Sequence, residues 1–185
     1  MCALLSYVEV DMTMLDHLHS RYFDTKQHTA WVSEAERVAV VPLWNLSGQL
    51  TGYHHYRPDM SKDANNHPYD SRYFTRVSNS PVTVWGVESW YSSNTLFVTE
   101  GLFDAARVTW NGFSAVCVFS SDVGGSTLGW LNLVKKIRPV VAVCDSDAAG
   151  RKLAKHGHTA YTVQSGKDFS DADESEVQNF LKNYA

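Results

Sequence analysis

Two short stretches carry side chains able to do chemistry. In Val140-Val141-Ala142-Val143-Cys144-Asp145-Ser146-Asp147-Ala148-Ala149-Gly150, an apolar, β-branched run ends in two carboxylates two positions apart. Bounded by Pro139 on one side and acids on the other, the run has the pattern of a parallel strand covered on both faces. Asp145 and Asp147 then fall at its carboxyl end, the rim where open α/β sheets bind ligands. They can turn hard oxygen ligands toward one divalent cation, and they equally suit a helix cap beside a solvated loop residue. Gly150 allows a tight turn into a helix. The second stretch, Thr95-Leu96-Phe97-Val98-Thr99-Glu100-Gly101-Leu102-Phe103-Asp104-Ala105-Ala106, is again an apolar strand ending in an acid and a glycine. Asp104 lies one helical turn past Glu100.

Together the stretches resemble the two signature motifs of the Toprim domain of primases, topoisomerases and some nucleases: Glu-Gly after one strand, Asp-x-Asp after a later one. That resemblance implies a general acid or base at Glu100 and magnesium held by the aspartates.

The elements that must position these acids alternate. The strand before Glu100 leads to a helix through Trp110 closed by Asn111-Gly112, then a strand at 115–119, a helix at 128–136, the Val140 strand, a helix at 148–156 and a strand at 159–163. Strand-helix repetition predicts a doubly wound, mostly parallel sheet. Upstream, Met14, Leu15, Leu18 and Tyr22 have helical spacing behind a cap at Asp11 or Thr13. Residues 38–46 and 49–56 form a hairpin about Ser47-Gly48. A polar loop spans 58–70, strands follow at 71–76 and 82–85, and a helix at 176–184 ends the chain, with Asp173 and Glu174 as its cap. The expected class is α/β: a mixed α+β subdomain over 1–92, then a Toprim domain over 93–185.

Val40-Val41-Pro42-Leu43-Trp44-Asn45-Leu46-Ser47-Gly48-Gln49-Leu50-Thr51-Gly52-Tyr53, Tyr56-Arg57, Ser71-Arg72-Tyr73-Phe74 and Trp85-Gly86 narrow the resemblance to the catalytic core of DnaG-type and phage-type DNA primases. Leu18-His19-Ser20-Arg21 resembles the helix that opens that core. The resemblance implies phosphate contacts at Arg57 and Arg72, with Arg76 near the position of a further family lysine. Gly166-Lys167-Asp168 corresponds to the Gly-x-Asp element that adds an acid, Asp168, to the metal site; Asp171 is the weaker match. Cations interleaved with Tyr53, Tyr56, Tyr73 and Phe74 combine phosphate neutralisation with base-stacking surface.

The implied activity is RNA primer synthesis on a single-stranded DNA template from nucleoside triphosphates. Glu100, Asp145, Asp147 and Asp168 would hold magnesium or manganese, and Asp104 would complete the acidic patch. Nucleic acid or nucleotide would meet Arg57, Arg72, Arg76, Tyr73 and Lys167, and a replicative helicase or other replisome protein is the expected partner. A Toprim nuclease is the rival enzyme, because the same rim can activate water; a maturase opens its chain with the Toprim domain, whereas here it starts near Thr95. A topoisomerase needs a separate tyrosine-bearing gate, which this length excludes. The rival from another class is a non-catalytic protein that binds single-stranded DNA or the replisome.

Composition bounds these readings. With 44% hydrophobic and 19% charged residues the 185-residue chain is globular rather than disordered. A net charge of -4 makes it no generic polycation, so nucleic-acid contact must come from local cations or bound metal. Cys2, Cys117 and Cys144 form no Cys-x-x-Cys pair, so neither a zinc ribbon nor a disulfide framework is expected. His17, His19 and His28 lack matching ligand spacing and read as surface or packing residues. Without a membrane-length apolar run or a signal-peptide pattern, a cytosolic protein is expected, in a bacterial host if the protein is phage-encoded.

Overall fold

A computed structural model describes residues 12–62, 70–78, 82–166 and 168–185. Helix α1 (Met14–Ser20) starts at Thr13, whose hydroxyl oxygen accepts the Asp16 N–H at 3.1 Å, and it buries Met14 and Leu18. The alternative cap, Asp11, is outside the described residues. Tyr22 sits beyond the helix in the left-handed region, with φ 62°.

An antiparallel sheet follows: β1 (Trp31–Ser33), β2 (Val38–Trp44), β3 (Leu50–Tyr56) and β4 (Tyr73–Val77), paired in chain order. The β2–β3 hairpin is the expected one, its turn tied by the Asn45 side chain, which accepts the N–H groups of Ser47 and Gln49 at 2.9 Å each. Residues 82–85 are not the expected strand. They make two isolated bridges, Asn45 with Thr83 and Trp85 with Cys117, because the chain turns away at Gly86, where φ is 92°.

The second sheet is parallel throughout, in the order β6-β5-β7-β8. Its strands are β5 (Leu96–Thr99), β6 (Ser114–Cys117), β7 (Val140–Cys144) and β8 (Thr159–Thr162), connected through α2 (Leu102–Trp110), α3 (Gly125–Val134) and α4 (Ala148–Leu153), with α5 (Glu174–Leu181) after β8. Side chains alternate between two cores. Phe97, Val141 and Val143 pack with Met14, Leu18 and Phe180 on one face, while Leu96, Val98, Val140 and Ala142 pack with Leu131 and Leu153 on the other. Burial on both faces is why β7 reads as an unbroken apolar run. Ala39, Val41 and Leu43 of β2 join the first core, so the antiparallel sheet packs against the parallel one.

Several boundaries differ from expectation. Helix α3 begins at Gly125 rather than 128, and α4 gives way to a 3-10 turn over Ala154–His156. Helix α5 starts two residues early, behind Asp173, and ends in a 3-10 turn over Lys182–Tyr184. Cys117 and Cys144 are buried free thiols. The imidazole of His17 hydrogen-bonds the Tyr56 hydroxyl at 2.7 Å, and that of His28 meets Glu88 at 2.6 Å. Among the described residues no helix is long and apolar enough to cross a membrane.

Candidate active site

The parallel sheet reverses direction of growth at β5: β6 lies on one side of it and β7 on the other. Glu100 follows β5 and Asp145 follows β7, so the two acids flank the crevice that such a switch point opens at the carboxyl ends of the strands. Two glycines make this arrangement possible. A Cβ at Gly101 would stand 2.4 Å from the Asp104 carboxylate oxygen, and a Cβ at Gly150 would stand 2.1 Å from the Asp145 carbonyl oxygen. Gly150 therefore serves close approach of α4 to the acidic loop, not the turn expected of it. Gly150→Ala would gain about 1 kcal/mol of helix propensity yet must displace backbone. A net loss of about 1–3 kcal/mol in denaturant unfolding is expected, with displacement of Asp145; an unchanged midpoint contradicts the close approach.

Asp147 is the N-cap of α4 and accepts the Gly150 N–H at 2.9 Å, so the cap reading and the rim reading hold for the same side chain. Asp104 is buried in α2 and accepts the Ser170 N–H at 2.8 Å. Ser170 belongs to a 3-10 turn, Phe169–Asp171, capped by Asp168. The Asp168 carboxylate accepts from the Ser170 hydroxyl at 2.8 Å and from the Asp171 N–H at 3.1 Å. Three separate chain segments thus bring Glu100, Asp104, Asp145, Asp147 and Asp168 to one open cleft of about 580 Å³.

Crowding of like charges in a half-buried place resists ionisation. Burial, then Asp168 and Asp145, raise the Asp104 pKa to about 8. Asp145 is raised to about 7 by burial, then by Asp168, Asp147 and Glu100, with Lys62 opposing. Glu100 is raised by burial and by Asp147, against Lys152 and a hydrogen bond from the Ser121 backbone. The Ser121 contact is what the glycine-rich loop at 120–126 supplies to the rim. These donors are all carboxylate oxygens, the set that suits magnesium or manganese, and their mutual repulsion is what a divalent cation would relieve. Among the described residues no three acidic, histidine or cysteine side chains already stand at ligand spacing about one point.

No protein-family model matches the sequence, and no curated protein does. Solved structures do. The primase fragment of the bacteriophage T7 primase-helicase superposes with a TM-score of 0.54 at 16% identity, over 78% of this chain and 60% of that one. The RNA polymerase domain of Mycobacterium tuberculosis DnaG gives 0.56 at 16%, over 92% and 61%. A DnaG catalytic domain bound to single-stranded DNA gives 0.55 at 16%, over 79% and 53%. The fold is that of a DNA primase catalytic core. The chain spans between half and two-thirds of the length of these three primase chains.

Within this primase-core fold the basic and aromatic residues divide between two places. Tyr73 lines the acidic cleft, where Lys62 stands 5.9 Å from its ring centroid. Arg57, Arg72 and Arg76 do not line it. Arg57 is buried and approaches the His55 ring nitrogen at 3.3 Å; Arg72 donates to the Met60 carbonyl at 2.8 Å. Arg76 pairs in register with Tyr53, and Phe74 with His55, on the face of the antiparallel sheet turned from the cleft. There Tyr53 and His55 stack at 4.7 Å. Lys167 lies outside the described residues. Asp171 ion-pairs with Arg21, leaving Asp168 as the acid of that turn that lines the cleft.

Three ionisable side chains of the cleft were not expected there: Arg21, His54 and Lys62. Lys62 Nζ is 3.7 Å from the Asp168 carboxylate, and the Arg21 guanidinium lies 5.0 Å from the Phe103 ring centroid. Only tertiary packing brings the end of α1 and Lys62 to the cleft. The one local signal is the alternation of β3, which turns His54 to the same side as the buried Tyr56.

Proposed function

We propose that this chain is a metal-dependent nucleotidyltransferase of the primase type, joining nucleoside triphosphates into RNA on single-stranded DNA. The observation that carries the reading is the acid rim: in a primase-core fold, carboxylates from three chain segments meet at the switch point of the parallel sheet. Residues 1–92 would then form the nucleic-acid-facing subdomain and 93–185 the metal-bearing one.

Asp145, Asp147, Asp168 and Glu100 would hold magnesium or manganese. Bound there, a divalent cation supplies Lewis acidity that lowers the pKa of an attacking 3′ hydroxyl and neutralises departing pyrophosphate. Glu100, half-buried with a raised pKa, is placed to accept or return a proton at its carboxylate. Asp104 stays protonated near neutral pH and, through Ser170, ties α2 to the turn that carries Asp168. Lys62, beside Asp168, offsets part of the rim's negative charge and offers an ammonium to a phosphate. A template strand or nucleotide met by Arg57, Arg72, Arg76, Tyr73 and Lys167 follows from the same reading, as does a replisome partner.

Titration calorimetry with manganese and a nucleoside triphosphate tests the metal half of the reading. A saturable heat is expected from the parent, reduced at least tenfold in affinity by Asp145→Asn. An absent heat in the parent would favour a binding protein without catalysis.

A further inference from the structure

The acidic cleft has a second wall whose chemistry is opposite to the first. His54, Arg21 and Lys62 face into it from β3, α1 and the β3–β4 connection. His54 is only 5% exposed. Its Nδ1 meets the Thr75 hydroxyl at 2.7 Å, across the directly paired position of β4. Its Nε2 is buried and has no hydrogen-bond partner. The ring is fixed in place by Phe119, 5.2 Å away centroid to centroid, and by Tyr73 at 6.0 Å. A buried polar atom left without a partner costs about 1–3 kcal/mol, and native structures keep few of them. The His54 side chain lines the cleft and this nitrogen is its unpaired atom, so a ligand that enters past the side chains covering it would complete it.

The neighbours decide what that ligand offers. A neutral imidazole has one donor and one acceptor nitrogen, and the Thr75 hydroxyl can serve either. Burial and the neighbouring His55 keep the His54 ring neutral, with a pKa near 3. Arg21 is paired with Asp171 and Lys62 stands 3.7 Å from the Asp168 carboxylate, so both are held at this wall as cationic donors to which an anionic ligand could also bind. With Nδ1 accepting from Thr75, Nε2–H becomes a third donor beside the two cations.

The geometry points to His54 Nε2–H as a direct donor to a phosphate oxygen of a polyphosphate ligand seated between this wall and the acid rim, with Arg21 and Lys62 as the flanking cations. This deepens the proposed function by naming a binding residue for the triphosphate, and it rests on that reading for the identity of the nucleotide but not for the anion. The contact is neutral, so it persists across the pH range in which histidines ordinarily titrate. Thr75 acts as the positioning residue that sets the tautomer.

Calorimetry with inorganic tripolyphosphate, magnesium present, tests it without turnover. The parent is expected to bind. His54→Leu should weaken binding about tenfold, His54→Gln, whose amide N–H reaches the same region, should recover part of the loss, and Thr75→Val should weaken it severalfold. All three must keep the parent's thermal unfolding midpoint within a few degrees; where His54→Leu falls outside that window, His54→Gln and Thr75→Val decide. The parent's dissociation constant should hold between pH 5.5 and 8 after correction for the ligand's own titration. Parent-like binding in the folded variants overturns the proposal, as does a parent that binds no tripolyphosphate. A loss seen with nucleoside triphosphate but not with tripolyphosphate also overturns it, since the ring would then be reading the nucleoside. Nucleotide incorporation by the parent with no His54 dependence of anion binding removes this inference alone. His54-dependent anion binding without incorporation removes the polymerase reading alone.

Discussion

Arg107→Met is expected to lower the unfolding free energy by about 3–5 kcal/mol, the range for breaking a buried, hydrogen-bonded charge network. Arg107 is 2% exposed. One of its terminal nitrogens donates to the carbonyl oxygens of Phe169, Ser170 and Ala172 at 3.0, 3.2 and 2.6 Å, and the other to Glu174 at 2.8 Å. Its guanidinium also lies 4.5 Å from the Tyr22 ring centroid. The three carbonyls belong to the turn that carries Asp168 to the cleft, so this one side chain holds part of the acid rim from behind. Methionine fills similar volume but leaves three carbonyls without their donor. Lysine is expected to restore little, since a single ammonium cannot reproduce the planar fork. Urea unfolding measures the loss; a variant within about 1 kcal/mol of the parent would show that the carbonyls find other donors.

The second large effect is on pH and metal. Without divalent cation, stability should fall as pH rises from about 5 to about 8, opposite to the usual behaviour of a salt-bridged carboxylate. Asp145 and Asp104 have folded pKa values of about 7 and about 8, above their ordinary value of 3.8, so these two acids bind more protons in the folded chain than in the unfolded one across that interval, and His54, with a pKa of about 3 against an ordinary 6.5, opposes them only in its lower part. Their protonated forms stabilise the fold fully at low pH, and that contribution is lost as pH climbs through 7 and then 8. The loss is on the order of a few kcal/mol, most of it from the fully buried Asp104, because solvent screens part of the effect at Asp145. Magnesium or manganese should reverse the fall at pH 8 and do little at pH 5. Unfolding midpoints measured at both pH values, with and without cation, check both signs; a midpoint that rises with pH in the cation-free protein contradicts the mutual repulsion of the rim.

What the sequence revealed and what it hid have the same physical origin. Glu100 and Asp145 were legible because each terminates an apolar strand buried on both faces, and such a strand leaves little choice about where its end lies. The β2–β3 hairpin was legible from the alternation on either side of Ser47-Gly48. By contrast β1, at three residues, is too short to show any period. Residues 82–85 have strand composition but end at a left-handed glycine, and that backbone state is not written in the preceding residues. Arg107 sits on α2 one turn after Asp104 and looks like a solvated helix charge until the turn at Phe169–Asp171 is folded over it. Arg21 and Lys62 reach the cleft only through tertiary packing, so no local pattern announced them, and for His54 the alternation of β3 gave its side of the sheet but not the cleft. Gly150 is legible as a glycine before a helix, but its close approach to the Asp145 backbone appears only in the folded chain.

Incorporation of labelled nucleoside triphosphates on mixed-sequence single-stranded DNA, with magnesium or manganese, tests the central claim most directly when Glu100→Gln and Asp145→Asn are run beside the parent. The account predicts short template-dependent products from the parent, none after chelation, and at least a hundredfold loss in both variants. Shortening of a labelled strand in place of new product, or products that persist in both variants, would contradict it.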